Sequence, residues 1–207
     1  RVPAVLEAWF SGSEAGNALA DVVFGAVNPS GKLPFTFPVR LEDNGAHALG
    51  EYPGADKVKY NESIFVGYRW HDKEQLKPLF AFGHGLSYTA FAVGNVKADR
   101  TTLAPNGSIR ISADVTNTGD RAGAEVVQLY IGDEQSSLPR PVKELKGFQK
   151  VSLNPGQTRT VTFEITPGML QYYDDAKGAW VAEPGAFTAY VGAASDDIRG
   201  TVEFELK

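Results

Sequence analysis

Ser13, near the start of the chain, has the surroundings of a catalytic nucleophile. It lies in the stretch AWFSGSEAG, which follows an apolar run and precedes a helical pattern. A nucleophile elbow of pattern G-x-S-x-G raises its serine at such a strand-to-helix turn. The spacing does not match, because Gly12 is adjacent to Ser13 and Gly16 follows three residues later. Ser11 and Glu14 instead have the spacing of a capping box, so we predict a helix N-terminus here and no nucleophile.

Metal and thiol chemistry have little support. The three histidines, His47, His71 and His84, lie in separate segments without the i, i+4 spacing of a zinc-binding helix. The chain has no cysteine, which excludes a disulfide, a thiolate nucleophile and a cysteine-based metal site. We therefore predict no metal and no cofactor.

Charge and hydropathy limit the classes of partner. The formal net charge is -5, with 20 Lys and Arg against 25 Asp and Glu, and no basic cluster suggests nucleic acid or anionic lipid. No apolar run of about 18 residues predicts a membrane span, and no signal-peptide pattern opens the chain. The chain begins Arg1-Val2-Pro3, and its one methionine is Met169, so we expect the middle of a longer polypeptide.

The elements before residue 90 suggest the end of an α/β domain. A dense apolar run predicts a buried central strand, a three- and four-residue apolar spacing predicts a helix from about Ser13 to Phe24, and a proline-flanked run predicts an edge strand or extended return. The residues are Val5, Leu6, Trp9 and Phe10 for the strand; Ala15, Ala18, Leu19, Val22 and Val23 for the helix; and Leu33, Phe35 and Phe37 for the return. One strand and one helix cannot cover both faces of a sheet. We assign residues 1–40 to the end of an α/β sandwich domain and residues 41–90 to a connecting segment.

The rest of the chain changes to a period of two. Apolar residues alternate with polar ones around 109–115, 127–131, 161–165, 187–191 and 202–206, which predicts strands with one solvated face. Gln128 and Tyr130 fall on a solvated face in this scheme, and Trp180 is expected to pack within a sandwich strand. Turn formers such as NTGD and NPGQ separate the strands. We predict that residues 91–207 form a fibronectin type III-like antiparallel β-sandwich.

Five stretches together resemble one enzyme family. They are FSGSEAGNALADVVFGAVNPSGKLPFTFP, YNESIFVGYRWHD, KPLFAFGHGLSYTAF, LPRPVKELKGFQKVSLNPGQ and WVAEPGAFTAYVGAASDDIR. In this order they resemble the C-terminal third of glycoside hydrolase family 3, the β-glucosidase family, and the likeness covers nearly the whole chain. It implies an enzyme with a barrel, an α/β sandwich domain and a fibronectin-like domain, of which this chain supplies the last parts.

The resemblance also implies where the catalytic residues are. Family members are retaining enzymes, which need two carboxyl groups about 5 to 5.5 Å apart. The family's nucleophile and acid/base belong to motifs that precede position 1, so we expect no catalytic residue in this chain. Glu14, Asp21, Glu62 and Asp72 could each be proposed as such a carboxylate, but a bare acidic residue carries little information, and a structural role is preferred for Glu62. The alternatives are a β-xylosidase and a stand-alone carbohydrate-binding or adhesion module.

The long loop from Leu41 to Asn61 supplies the candidate substrate-binding residues. Loops of this length are often functional, and Tyr52 and Tyr60 within it, with Trp70 just beyond, offer flat apolar faces with a polar edge. We predict that they line the outer rim of a site for oligosaccharides or a homodimer contact; a solvated linker is the alternative. The resemblance further implies a periplasmic or extracellular location and partnership with the upstream part of the same enzyme.

Overall fold

The chain folds into an N-terminal segment with short helices and a C-terminal β-sandwich. The computed structural model describes residues 2–207. The helices are α1 (Ala15–Val23), α2 (Gly45–Ala48), α3 (Tyr68–Lys73) and α4 (Pro167–Leu170), with 3-10 helices at Gly12–Glu14 and Leu41–Asp43. Within residues 2–207, none of these helices has the length and apolar character needed to cross a bilayer.

Within residues 2–207, ten strands form two facing sheets and a separate hairpin. A three-stranded sheet has the order β1-β3-β6, a five-stranded sheet has the order β2-β10-β9-β4-β5, and β7 pairs with β8 alone. The strands are β1 (Phe91–Ala98), β2 (Thr102–Leu103), β3 (Ile109–Asn117), β4 (Gly123–Asp133), β5 (Glu144–Leu153), β6 (Thr158–Ile165), β7 (Tyr172–Asp174), β8 (Ala179–Val181), β9 (Gly185–Ala194) and β10 (Asp197–Leu206). The pairing is antiparallel except between β2 and β10.

The period-two pattern in the sequence places the sandwich core. In β3, residues at every second position are buried, because strand side chains alternate between the two faces. β6, which pairs with β3 in the same sheet, shows the same alternation, and buried residues of β9 and β10 meet both strands from the other sheet. In that other sheet the Phe187 and Phe204 rings stack with centroids 5.7 Å apart. The five predicted strand regions and the sandwich architecture are therefore confirmed.

One predicted solvated face is covered. Gln128 is 3% exposed and Tyr130 is fully buried, although their neighbours on β4 already fill the core. The Tyr68 ring packs against the Tyr130 ring at 5.8 Å, and Gln128 Nε2 donates to the Gly83 carbonyl at 3.1 Å. The prediction of a wet face was wrong here, because the connecting segment lies on the outer side of the five-stranded sheet.

The N-terminal segment is tied to the sandwich by its polar groups as well. Asn28 Nδ2 donates to the Ala122 carbonyl at 3.0 Å, while Asn28 Oδ1 accepts from Ser87 Oγ and from the Tyr88 amide, both at 2.8 Å. The predicted extended return pairs with a later stretch: the Leu33 amide donates to the His84 carbonyl at 2.8 Å. Residues 28–37 and 66–88 thus pack on the sandwich.

The helix predicted near the start is present, but it begins differently. Ser11 Oγ donates back to the Ala8 carbonyl at 2.6 Å, and Glu14 Oε2 accepts from Asn17 Nδ2 at 2.6 Å. The predicted capping box was wrong. A capping residue is usually extended, whereas Ser11 has φ -80° and ψ 0° because a 3-10 turn precedes α1. Beyond α1, Gly25 takes φ +78°, as expected for a residue that ends a helix.

The central strand predicted over residues 5–10 is not formed within residues 2–207. Trp9 has φ +50°, a left-handed conformation that interrupts an extended chain. Val5 is 71% exposed, and the side chain of Phe10 is fully exposed. A strand apolar on both faces needs a neighbouring strand and a covering layer, and no other strand among the described residues pairs with this one.

Candidate functional site

The loop that carries two of the predicted binding residues presents them to solvent. Tyr52 is 60% exposed and packs one side of its ring against His47, with centroids 4.8 Å apart. Tyr60 is 77% exposed. Both side chains therefore have a free apolar face and a free hydroxyl, the combination that suits a sugar ring or a polar interface.

Trp70, the third predicted binding residue, is buried. Its side chain is 6% exposed and lies against Gly45, where a Cβ would come within 3.0 Å of the indole ring. Lys73 Nζ lies 5.0 Å from the centre of the same ring. Trp70 packs helix α3 onto helix α2, so the stacking role expected for it does not fit this structure.

Two of the acidic candidates, Glu14 and Asp72, have separate local partners. Asp72 forms an ion pair with Lys143, with Oδ2 and Nζ 2.6 Å apart, and Glu14 accepts from Asn17 as described above. Glu62 is half-buried, and its Oε2 has no hydrogen-bond partner within residues 2–207. In the same range, no group of three or more histidine and acidic side chains is arranged to hold a metal ion. Asp72 and Glu14 are therefore engaged in local contacts, which fits a structural role for both.

A buried charge network joins helix α3 to the sandwich. Glu144 on β5 contacts Arg140 at 2.7 Å, Arg69 of α3 at 3.3 Å and Lys146 at 3.4 Å. Burial alone would raise the pKa of Glu144, but Lys146, Arg140 and Arg69 more than offset that effect and hold its pKa below the ordinary value. The network therefore keeps Glu144 ionised at neutral pH.

Exposed apolar side chains are concentrated in the N-terminal part of the chain. Among residues 91–207, five large apolar side chains are exposed, namely Leu138, Val142, Phe148, Tyr173 and Trp180. All the others belong to residues 2–90, and they include Leu6 at 47%, Val23 at 61% and Phe24 at 87% exposure. We call residues 2–66, which carry most of them, the N-terminal apolar surface. Such concentrations mark places where another surface binds.

Buried polar groups of the N-terminal segment also lack partners within the described range. Thr36 Oγ1, Glu62 Oε2, Trp70 Nε1 and His71 Nε2 are inaccessible and accept or donate no hydrogen bond within residues 2–207. His71 Nδ1 does donate, to the Gly67 carbonyl at 3.0 Å. Native proteins leave few such atoms unpaired. The cluster borders the same segment that carries the N-terminal apolar surface.

The glycines of the GHG stretch approach other parts of the chain closely. A Cβ on Gly83 would lie 2.2 Å from Gln128 Oε1, and one on Gly85 would lie 2.2 Å from the Gly31 carbonyl oxygen. A tight bend pressed against neighbouring parts of the chain accounts for both glycines. Because neither residue has a side chain, the connecting segment can approach Gln128 on β4 and the backbone of Gly31 closely.

One aromatic pair was misplaced by the sequence interpretation. Trp180 lies on β8, outside both main sheets, and is 65% exposed; Tyr173, directly across from it on β7, is 49% exposed. The prediction that Trp180 packs within a sandwich strand was wrong. The available clue was the pair of aromatic residues flanking the polar turn DDAKG, which is typical of a short hairpin.

Comparisons with known proteins identify the family. A model described as glycosyl hydrolase family 3 C-terminal domain matches residues 1–88, and a fibronectin type III-like domain model matches residues 125–195. β-Glucosidase BoGH3A of Bacteroides ovatus is 53% identical over 207 residues, covering 99% of this chain and 28% of that protein. The chain belongs to glycoside hydrolase family 3. Its fold is accordingly the C-terminal end of an α/β sandwich domain followed by a fibronectin type III-like sandwich.

Other family 3 proteins match over the same extent. Thermostable β-glucosidase B of Acetivibrio thermocellus is 48% identical, with 96% of this chain and 26% of that protein covered. The crystal structure of a GH3 β-glucosidase from Bifidobacterium adolescentis superimposes with a TM-score of 0.89 at 38% identity, covering 97% of this chain and 29% of that one. The chain thus spans about a quarter of the length of these relatives.

Proposed function

We propose that this chain works as the C-terminal part of a retaining β-glucosidase, an enzyme that hydrolyses terminal β-D-glucosyl residues. The observation that carries the proposal is its 53% identity, over nearly its whole length, to a protein named as a β-glucosidase. In this role the chain completes the fold. The nucleophile and the acid/base are expected from residues outside it, because the family resemblance places their motifs before position 1. The ion pair of Asp72 with Lys143 agrees with a structural role for that candidate.

The N-terminal apolar surface is the proposed contact with the rest of that enzyme. Val5, Phe10 and Phe24 are more than two-thirds exposed, which suits residues that pack against the missing layers of an α/β domain. A free-standing module would have no use for such a surface, which argues against the carbohydrate-binding or adhesion alternative.

The proposal is tested by comparing the chain alone with the complete protein. Residues 1–207 purified alone should not hydrolyse an aryl β-glucoside, and the complete protein should. Turnover that copurifies with the isolated chain would contradict the assignment of catalysis elsewhere. Parallel assays of the complete protein with an aryl β-xyloside test the β-xylosidase alternative. A β-xylosidase would hydrolyse the xyloside faster than the glucoside, and a β-glucosidase would do the opposite.

Tyr52 and Tyr60 are proposed to line the outer rim of the substrate site or a contact between two copies. Their exposure of 60% and 77% supports a role in contacts made outside this chain. A location in the periplasm or outside the cell is part of the same proposal, because β-glucan chains are found there. Fractionation of the source cells with an antibody to the chain tests it.

A further inference from the structure

The hairpin of β7 and β8 turns two aromatic rings outward together. Tyr173 and Trp180 are direct cross-strand partners, so their side chains leave the same face of the hairpin. Their ring centroids lie 5.7 Å apart, and the planes meet at 70°. They are 49% and 65% exposed, and together they form an open corner.

The opposite face of the hairpin anchors it to the sandwich. Tyr172 lies under the Arg140 guanidinium, 5.3 Å from the ring centre, and its hydroxyl is 3.1 Å from Ser137 Oγ. Asp174 is 6% exposed; its Oδ1 accepts from the Ala176 amide at 3.0 Å, and its Oδ2 lies 2.8 Å from Lys177 Nζ. The aromatic corner is therefore held rigidly, which lowers the entropic cost of binding a ligand.

We infer that Tyr173 and Trp180 form a surface site for a β-linked glucan chain. In a β-glucopyranose ring every hydroxyl is equatorial, so both ring faces present axial C–H groups and can lie flat on an indole. Polar groups that could bind the sugar hydroxyls are available as well, namely the Tyr173 hydroxyl and the exposed Asp175 in the turn between β7 and β8. This inference deepens the proposed function, since it takes its ligand class from it.

The size of the corner favours a glucan over a protein. An aromatic side chain buries about 150 to 250 Å² when fully covered, so two half-exposed rings offer about 300 Å² at most. A stable protein interface needs about 800 Å² per partner. The corner also lies on the separate hairpin of β7 and β8, whereas most of the exposed apolar side chains belong to residues 2–66. Two successive glucosyl units match the available area.

Affinity electrophoresis of the chain in native gels tests the site without any turnover. The gels contain barley mixed-linkage β-glucan or hydroxyethyl cellulose, and a dextran gel serves as the reference. Wild type should be retarded by both β-glucans. Trp180→Ala should raise the dissociation constant about tenfold, equivalent to about 1.4 kcal/mol, with a smaller effect for Tyr173→Ala. Phe148→Ala is the matched control, because Phe148 is 66% exposed but lies on β5, and it should be retarded like wild type.

Three results would overturn the inference. They are a wild-type chain that β-glucan does not retard, a Trp180→Ala variant retarded as strongly as wild type, and a wild-type dimer that Trp180→Ala converts to monomer. If Trp180→Ala fails to melt cooperatively, Trp180→Phe takes its place and should bind with intermediate strength. Retardation in the gel measures binding and needs no hydrolysis. If the complete protein were inactive on β-glucosides, the proposed function would be refuted, but the gel result would still decide whether Tyr173 and Trp180 bind β-glucan.

Discussion

Lys143 Nζ lies 2.6 Å from Asp72 Oδ2, and this ion pair joins helix α3 to the loop between β4 and β5. The two side chains are 9% and 21% exposed, so removing one leaves the other charge largely buried and unpaired. We expect Asp72→Asn to lower the free energy of unfolding by about 2 to 3 kcal/mol. Urea unfolding followed by fluorescence measures the change.

The matched control for this pair is an exposed one. Lys207 and Glu205 are 56% and 50% exposed at 2.6 Å, so Lys207→Ala should change the free energy of unfolding by less than about 1 kcal/mol. Equal losses in Asp72→Asn and Lys207→Ala would show that the pair between α3 and the sandwich contributes nothing special.

Gly83→Ala should destabilise the chain more than Gly156→Ala. Both glycines have positive φ, +81° and +71°, so both variants carry a similar backbone strain. A Cβ on Gly83 would in addition lie 2.2 Å from Gln128 Oε1, whereas open space surrounds Gly156. Gln128 cannot move away, because it bonds the Gly83 and Ala193 carbonyls and accepts from Tyr130.

The expected difference between the two glycine variants is about 1 to 3 kcal/mol, the usual cost of overpacking or of a lost buried hydrogen bond. Thermal and urea unfolding of both variants give the difference directly. A Gly83→Ala variant as stable as Gly156→Ala would mean that the connecting segment does not hold its place on β4.

The contribution of Glu144 should depend on pH in a defined direction. Its pKa in the folded chain lies below the ordinary value of 4.5. Its stabilisation is therefore complete above about pH 4.5 and is lost as the pH falls through the lower folded pKa. The difference in unfolding free energy between wild type and Glu144→Gln should be constant from about pH 7 to pH 5 and shrink below that range.

Unfolding by urea at a series of pH values measures this difference. Glu144→Asp retains a carboxylate and should keep part of the pH dependence, which separates ionisation from a change of shape. A difference that grows as the medium is acidified would contradict the lowered pKa.

Tyr52→Ala and Tyr60→Ala in the complete enzyme should act on long substrates selectively. The expected result is a fall of about tenfold in kcat/KM for cellotriose, equivalent to about 1.4 kcal/mol, with little change for an aryl glucoside. The alternative effect is a dimer that dissociates on size-exclusion chromatography. Phe148→Ala is a suitable control. Wild-type kinetics and mass in both tyrosine variants would make the loop a linker.

Local patterns predicted the elements, and distant contacts account for the errors. The alternation of Ile109, Ile111, Ala113 and Val115 is a property of one strand, so it placed β3 correctly. Whether Gln128 is exposed to solvent depends on the segment that covers this face, which includes Tyr68 and Gly83. Both residues are more than 40 positions away in the chain. No period in the sequence carries that information.

The same distinction applies to the candidate site. Exposure of Tyr52 and Tyr60 agrees with their position in a long polar loop, whereas Trp70 is buried because Gly45 leaves room for its ring. Trp180 was misplaced because a hairpin outside both sheets has the same alternation as a strand within them. The composition argues against some classes of partner. It does not show whether a given aromatic side chain is buried in the fold or exposed to solvent.

The hydrogen bonds of Asn28 constrain the order in which the chain can fold. This side chain joins partners 59, 60 and 94 residues further along the chain. On a ribosome Asn28 emerges long before Ala122, so its contacts with the sandwich form only after that later part of the chain has been made. Closing such long loops is slow, and exposed intermediates aggregate. We therefore expect slower translation, which lengthens the time before these contacts can form, to lower the soluble yield of this chain.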